Sequence, residues 1–256
     1  MIFITGDVHA YRKNDWEQKK ASNVAASLEY LKILKKSNLS CTLFINGKCI
    51  ENEKEDVKKL LEYDAEFGGH TYNNFGNLGV VRSYIFRKIF GCIYGPNFYQ
   101  RRDIKKTKKA FEKFGLKMTS WRTHAFGSNN RTFEVLSENK VKFVSDLLGN
   151  KKPFLENGII HLPVNIPVDQ NTIAYGMLSP ENRNAFASCT KGRINPEEWF
   201  DILKKRVIEN EKKNIPSIIL IHPATMKELD NFKLFEKICK FLSRFESRKI
   251  SDFSNK

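Results

Sequence analysis

Short apolar runs alternate with longer amphipathic stretches along almost the whole chain, and this alternation constrains the fold more than any other feature. Seven runs read as strands: 2–5, 41–45, 65–69, 118–121, 141–145, 159–164 and 217–221. Between them lie stretches with helical spacing of apolar positions. The stretch 16–36 carries Val24, Ala25, Leu28, Leu31, Ile33 and Leu34 close to that spacing. Further helices are expected over 56–63, 103–114, 131–139, 196–210 and 234–245. The last but one opens with Pro196 and the acidic pair Glu197-Glu198, which suit a first helical turn. Residues 71–100 read as an irregular, aromatic-rich insert with a short helix near 81–90.

Strands separated by helices pair in parallel, because the crossover carries the chain back to the same end. Seven such units predict an α/β fold, a distorted (β/α)7-type barrel like a TIM barrel, with parallel strands and outer helices. The 256 residues suit a single domain over 1–256.

Composition removes several classes. Hydrophobic residues are 41% and charged residues 29%, which argues against a disordered or fibrous chain. No apolar run approaches the ~18 residues of a membrane span. The opening Met1-Ile2-Phe3-Ile4 lacks a basic segment and a long apolar one, so no signal peptide is expected. The five cysteines are odd in number, widely spaced and without a CxxC pair. They indicate neither a disulfide framework nor a thiolate zinc site, and a cytoplasmic location is expected. Lys and Arg total 44 against 29 Asp and Glu, a net charge of +15. The basic residues are spread over expected helix faces and no nucleic-acid-binding motif stands out, so no nucleic-acid partner is expected. Peripheral contact with an anionic surface is compatible with the charge. Nothing in the sequence sets the oligomeric state.

Chemistry on a parallel β/α scaffold belongs at the C-terminal ends of the strands. Asp7 and His9 follow the first strand, His70 closes the third and Trp121-Arg122 end the fourth. Asp146 ends the fifth strand and His222 the seventh, while His124 stands two residues past Arg122. Such a set suits metal-assisted hydrolysis. Imidazole nitrogens and hard oxygens bind a divalent ion that acidifies water, a carboxylate takes the proton, and a histidine protonates the leaving group. His161 lies inside a strand and reads as structural.

These fragments, in this order, resemble the metal-dependent polysaccharide deacetylase family of carbohydrate esterases. Thr5-Gly6-Asp7-Val8-His9 stands where the family has an acidic motif, and His70-Thr71-Tyr72-Asn73-Asn74 where it has His-Ser/Thr-x-x-His. Trp121-Arg122-Thr123-His124, Ser145-Asp146 and Leu220-Ile221-His222-Pro223 match later motifs. The resemblance implies a hydrolase that removes acetyl groups from N-acetylated sugars or polysaccharide precursors. One divalent ion is implied, zinc first, with cobalt, nickel or manganese as alternatives. Carried over, Asp7 is the base, His222 the acid and Arg122 the group that orients the base. His9, His70 and Asn74 become the metal ligands, with Asp7 as a further one. Trp121, His124, Asp146 and Tyr72 are expected to contact substrate. The motifs are degenerate: His9 replaces a carboxylate, Asn74 a histidine and His124 a proline.

Two other readings follow from the same residues. Gly6-Asp7-Val8-His9 is also similar to the opening motif of calcineurin-like metallophosphoesterases, but their downstream Gly-Asp-x-x-Asp and Gly-Asn-His motifs are absent. The degenerate ligands also fit a catalytically inactive, glycan-binding homologue.

Overall fold

The computed structural model of the chain describes residues 1–10, 19, 21–75, 79–174 and 193–254. The start of the expected first helix and Cys189 lie outside them.

Eight strands form one sheet: β1 (Ile2–Val8), β2 (Cys41–Ile45), β3 (Ala65–Gly69), β4 (Ser120–Trp121), β5 (Phe143–Val144), β6 (Phe154–Glu156), β7 (Ile159–His161) and β8 (Ser217–Leu220). Their order is β6-β7-β5-β4-β3-β2-β1-β8. Every pairing is parallel except β6 with β7. The expected seven parallel strands are all present. The additional β6 is joined to β7 through Asn157 and Gly158, both at positive φ (49° and 76°). That two-residue Asn-Gly turn is a strong hairpin signal, and the sequence reading passed over it.

The sheet curls until its two parallel edges meet. Beyond β7, the Asn165 backbone N–H donates to the Ile218 carbonyl of β8 at 3.2 Å. The Asn165 side chain completes the junction, accepting from Ile218 N at 2.9 Å and donating to the Pro216 carbonyl at 2.8 Å. A side-chain amide thus supplies the ladder bonds that a short strand lacks, and the parallel strands close into a barrel.

Nine helices are described. The first six are α1 (Asn23–Lys36), α2 (Gly47–Asn52), α3 (Lys54–Leu60), α4 (Gly79–Phe90), α5 (Asn97–Lys113) and α6 (Asn130–Glu138). Then follow α7 (Pro196–Lys212), α8 (Pro223–Asp230) and α9 (Lys233–Leu242). Local chemistry marks the starts: the Ser22 hydroxyl caps α1, Asn129 and Thr132 cap each other's backbone at α6, and Asn195 precedes Pro196 at α7. Such caps are each worth about 1 kcal/mol. Two short helices, α2 and α8, were not anticipated; each spans six to eight residues, too few to show a periodic pattern.

Period-2 alternation sorts the strands into two cores. Ile2, Ile4 and Val8 face the helices with Leu43, Ile45, Ile219 and Ile221. Phe3, Phe44, Phe143, Ile218 and Leu220 fill the barrel interior. Glu66 lies on that inner face as well, accepting from Thr42 Oγ1 (2.8 Å), Ser120 Oγ (2.6 Å) and Ser251 N (3.0 Å). The C-terminal segment therefore closes the lower end, with Phe253 against Phe3 at 6.0 Å. Continuing the same alternation upward places Asp7 above Phe3, His70 above Gly68, Arg122 above Ser120 and His222 above Leu220. Gly68 is required there, because a Cβ would lie 2.6 Å from both the Phe44 ring and Ser120 Oγ.

Candidate active site

Asp7, Arg122 and His222 converge at the upper mouth of the barrel. Arg122 is fully buried and its guanidinium is fixed on every side. Nε donates to the Ser145 carbonyl (2.9 Å), Nη2 to Ser145 Oγ (2.7 Å) and Nη1 to Asp7 Oδ1 (2.9 Å). Its plane lies 4.4 Å from the centroid of Phe44. Ser145 Oγ donates onward to the Leu162 carbonyl. The other Asp7 oxygen, Oδ2, is 3.8 Å from Nε2 of both His70 and His222. Burial alone would raise the Asp7 pKa; His70, Arg122 and His222 outweigh it and hold the carboxyl below its ordinary value. Asp7 is therefore an anion with one oxygen anchored and the other facing two imidazoles.

His222 lies two residues past the end of β8 and immediately precedes α8. Its Nδ1–H donates to Asp169 Oδ1 at 2.7 Å, and its backbone N–H donates to Asp169 Oδ2 at 2.8 Å. This two-point grip fixes the ring and leaves Nε2 toward Asp7. Asp169 is fully buried and was missed from sequence. It sits in the Pro-rich segment past β7 and no local pattern ties it to a histidine 53 residues away.

His70 donates from Nδ1 to the Arg122 carbonyl at 2.8 Å. A carbonyl only accepts, so the proton sits on Nδ1 and Nε2 presents its lone pair. Burial, against the pull of Asp7, keeps His70 below its ordinary pKa and so neutral. His9 Nε2 is 3.2 Å from His70 Nε2, and the rings stack at 5.1 Å. His124 meets both rings edge-on, at 5.1 Å and 5.6 Å. One ligand nitrogen from each of His9, His70 and His124 lies within 4.8 Å of the others. Tetrahedral zinc with ~2.0–2.1 Å bonds separates neighbouring nitrogens by about 3.3 Å, so the His9–His70 pair already has the needed spacing. This donor set fits a divalent ion.

Asn74 is buried in the turn after β3. That turn is not helical: Thr71, Asn74 and Phe75 all have positive φ. The imidazole that joins His9 and His70 comes instead from the loop after β4. There Ala125 and Phe126 adopt left-handed conformations and turn His124 inward beside Phe75, 5.3 Å away.

Three residues expected at the substrate are engaged elsewhere. Trp121 is fully buried and donates from its indole to Thr123 Oγ1, so it offers no surface to a ligand. Asp146 binds the backbone N–H and the hydroxyl of Thr123 with its two oxygens, bracing the loop between Arg122 and His124. Burial pushes its carboxyl up to about 6. Tyr72 donates its hydroxyl to Glu51 and lies under Lys106 Nζ, 3.6 Å from the ring centroid. His161 is sandwiched between Phe133 and Phe154, each 4.8 Å away, in keeping with a structural role.

Residues 21–144 match the polysaccharide deacetylase family model. A candidate polysaccharide deacetylase from Mycobacterium smegmatis superposes with a TM-score of 0.69 at 14% identity, covering 97% of this chain and 86% of that one. A family 4 carbohydrate esterase from Streptomyces lividans, solved with acetate, gives 0.54 at 11% identity over 95% of this chain and 88% of that one. A CE4 family pseudoenzyme from Bacillus anthracis gives 0.52 at 15% identity, covering 98% and 64%. No curated protein sequence matches the chain. Just under half of the chain thus matches the polysaccharide deacetylase family model, and the whole has the barrel fold of the CE4 carbohydrate esterases. The phosphoesterase resemblance rests on the single tetrapeptide Gly6-Asp7-Val8-His9.

Proposed function

We propose that this protein is a metal-dependent deacetylase acting on N-acetylated sugars or polysaccharide precursors. The observation that carries the reading is the convergence at one mouth of an Arg-anchored Asp7, an Asp169-gripped His222 and three imidazoles. His9, His70 and His124 hold the ion, in place of the Asn74 that the motif suggested. Zinc is the first candidate, since neutral imidazoles suit it, and cobalt, nickel and manganese are the alternatives. When bound, the ion supplies Lewis acidity toward the acetyl carbonyl and the attacking water.

The chain's own residues supply the proton transfers. Asp7 accepts the proton of water on Oδ2, while Arg122 keeps Oδ1 in place through a charge-assisted bond. His222 carries a proton on Nε2 to the leaving amine, and Asp169 stabilises the imidazolium and fixes the ring.

Metal analysis of the purified protein with acetate release from a panel of N-acetyl sugars tests this. The expected result is one divalent ion per chain and acetate release that chelation abolishes and zinc restores. Sugar binding without acetate release at any metal loading would favour the inactive homologue. That second reading draws on the departures at His9 and Asn74 and on the likeness to a pseudoenzyme.

A further inference from the structure

Helix α4 turns an apolar face to solvent. Val81, Tyr84, Ile85 and Ile89 follow one another at helical spacing and are 56%, 63%, 45% and 67% exposed. Phe90 beside them and Phe98 at the start of α5 are also exposed, Phe98 by 75%. The opposite side of the helix anchors it to the barrel rim: Arg82 donates to the Phe75 carbonyl at 3.0 Å and Phe86 packs on Tyr99 at 5.3 Å. Soluble monomers seldom leave a contiguous large-apolar stripe in water.

The surroundings say what covers it. Residues 79–113 hold ten Lys and Arg against Asp103 and Glu112, a surplus of eight out of the chain's +15. Arg82, Arg102 and Lys106 line a cavity of about 400 Å3 between the two helices, with Phe86, Tyr99 and Asp103. The Asp103 oxygen Oδ2 is occupied by the Tyr72 N–H and the Tyr94 hydroxyl, so the cavity remains cationic. Arg87 and Lys88 are exposed on α4, and Lys88 Nζ lies 5.8 Å from the Tyr84 ring centroid, its stem along the apolar stripe. An apolar stripe edged by cations is the pattern of a helix lying in the plane of an anionic bilayer.

We propose that α4 and the first turns of α5 dock this protein onto an anionic phospholipid surface, with Val81, Tyr84, Ile85 and Ile89 entering the headgroup boundary. The cationic cavity receives a lipid phosphate. Because Arg82 of α4 holds the Phe75 carbonyl and Phe75 packs against His124, docking brings the catalytic mouth to the membrane. The surface does not depend on the proposed deacetylation, and none of its residues belongs to the catalytic or ligand set.

The test is co-sedimentation with phosphatidylglycerol-containing vesicles and with pure phosphatidylcholine vesicles, for wild type and an Ile85→Glu/Ile89→Glu variant. Wild type is expected to bind only the anionic vesicles, and less as salt rises. The variant should lose at least about tenfold in affinity, since apolar insertion carries interfacial binding, with unchanged thermal unfolding. Equal binding of wild type and variant, or equal binding to neutral vesicles, overturns the proposal. So does a large fall in the variant's melting temperature, which would show the stripe packed by this chain itself. A wild type that ignores vesicles but self-associates, with a monomeric variant, would assign the face to a second copy. Acetate release from a soluble sugar, measured alongside, reports on the deacetylase reading separately.

Discussion

The Asp7 side of the cleft and the imidazole side satisfy their polar groups in opposite ways. Around Asp7, each charge meets an opposite charge or a firm hydrogen bond. Arg122 lies on Asp7 at 2.9 Å, and Asp169 holds His222 at 2.7 Å. Across from them, His9 and His70 bring two Nε2 atoms to 3.2 Å, although only one hydrogen bond can join them without a cation. His124 adds a third ring. The first half is balanced within the chain, the preorganisation that the proposed proton transfers need. The second is a cluster of imidazole donors whose spacing gains most from a divalent ion. The two halves join at two places: His70 donates to the Arg122 carbonyl, and Asp146 grips Thr123 between Arg122 and His124.

Substitutions on each side should separate these roles. The largest effect is expected for Asp7→Asn. Acetate release should fall about 10²–10⁴-fold, the range for losing a general base, while metal content measured by mass spectrometry stays unchanged. Loss of the ion along with activity would move Asp7 to the ligand side. His70→Ala should weaken metal affinity by at least about 100-fold, beyond the usual loss for an outer partner. Competition with a chelating dye reads this directly, and a variant that kept its ion would break the division.

Asp169→Asn acts on the other half. It should lower kcat about 10–100-fold, the range for an orienting partner, with no change in metal affinity. The charge lost beside His222 also makes its imidazolium easier to deprotonate. The alkaline limb of the pH–rate profile should therefore move to lower pH, a shift that a purely structural defect would not give.

The smallest effect is expected at the junction. Burial raises the Asp146 carboxyl from an ordinary 3.8 to about 6 in the folded protein. Its protonated form is thus favoured by folding. The associated stability is present below about pH 4 and lost as pH rises through 6. Relative to Asp146→Asn, wild type should lose stability over that window, by a few kcal/mol at most since one pKa unit is about 1.4 kcal/mol. Urea denaturation of both proteins at pH 4 and pH 7 checks the sign; a constant difference would mean that Asp146 is not perturbed.

The parallel barrel and most of its upper mouth were legible in the chain because they depend on local regularities. A strand alternates its faces every residue, so an apolar run such as 2–5 also fixes where Asp7 points. The same logic placed His70, Arg122 and His222 at strand ends. Helix lengths were read less well: α5 begins at Asn97 rather than 103, since its first two turns carry aromatic and amide residues with no clear stripe. The strands β4 and β5 have only two residues each. Beyond them the backbone turns to form the loops that carry His124 and Asp146.

The sequence by itself determined the inner and outer faces and the number of parallel strands, while the acid and base candidates came from its resemblance to a family. Side-chain periodicity is a property of the backbone and is written every two or four residues. Only the tertiary structure decided which groups meet. Asp169 reaches His222 because β7 and β8 close the ring, His124 joins His9 and His70 because two left-handed residues redirect one loop, and Trp121 turns from a ligand contact into core because Gly69 leaves room for its ring. Such contacts depend on chain closure and packing over tens to hundreds of residues, where no local pattern records them.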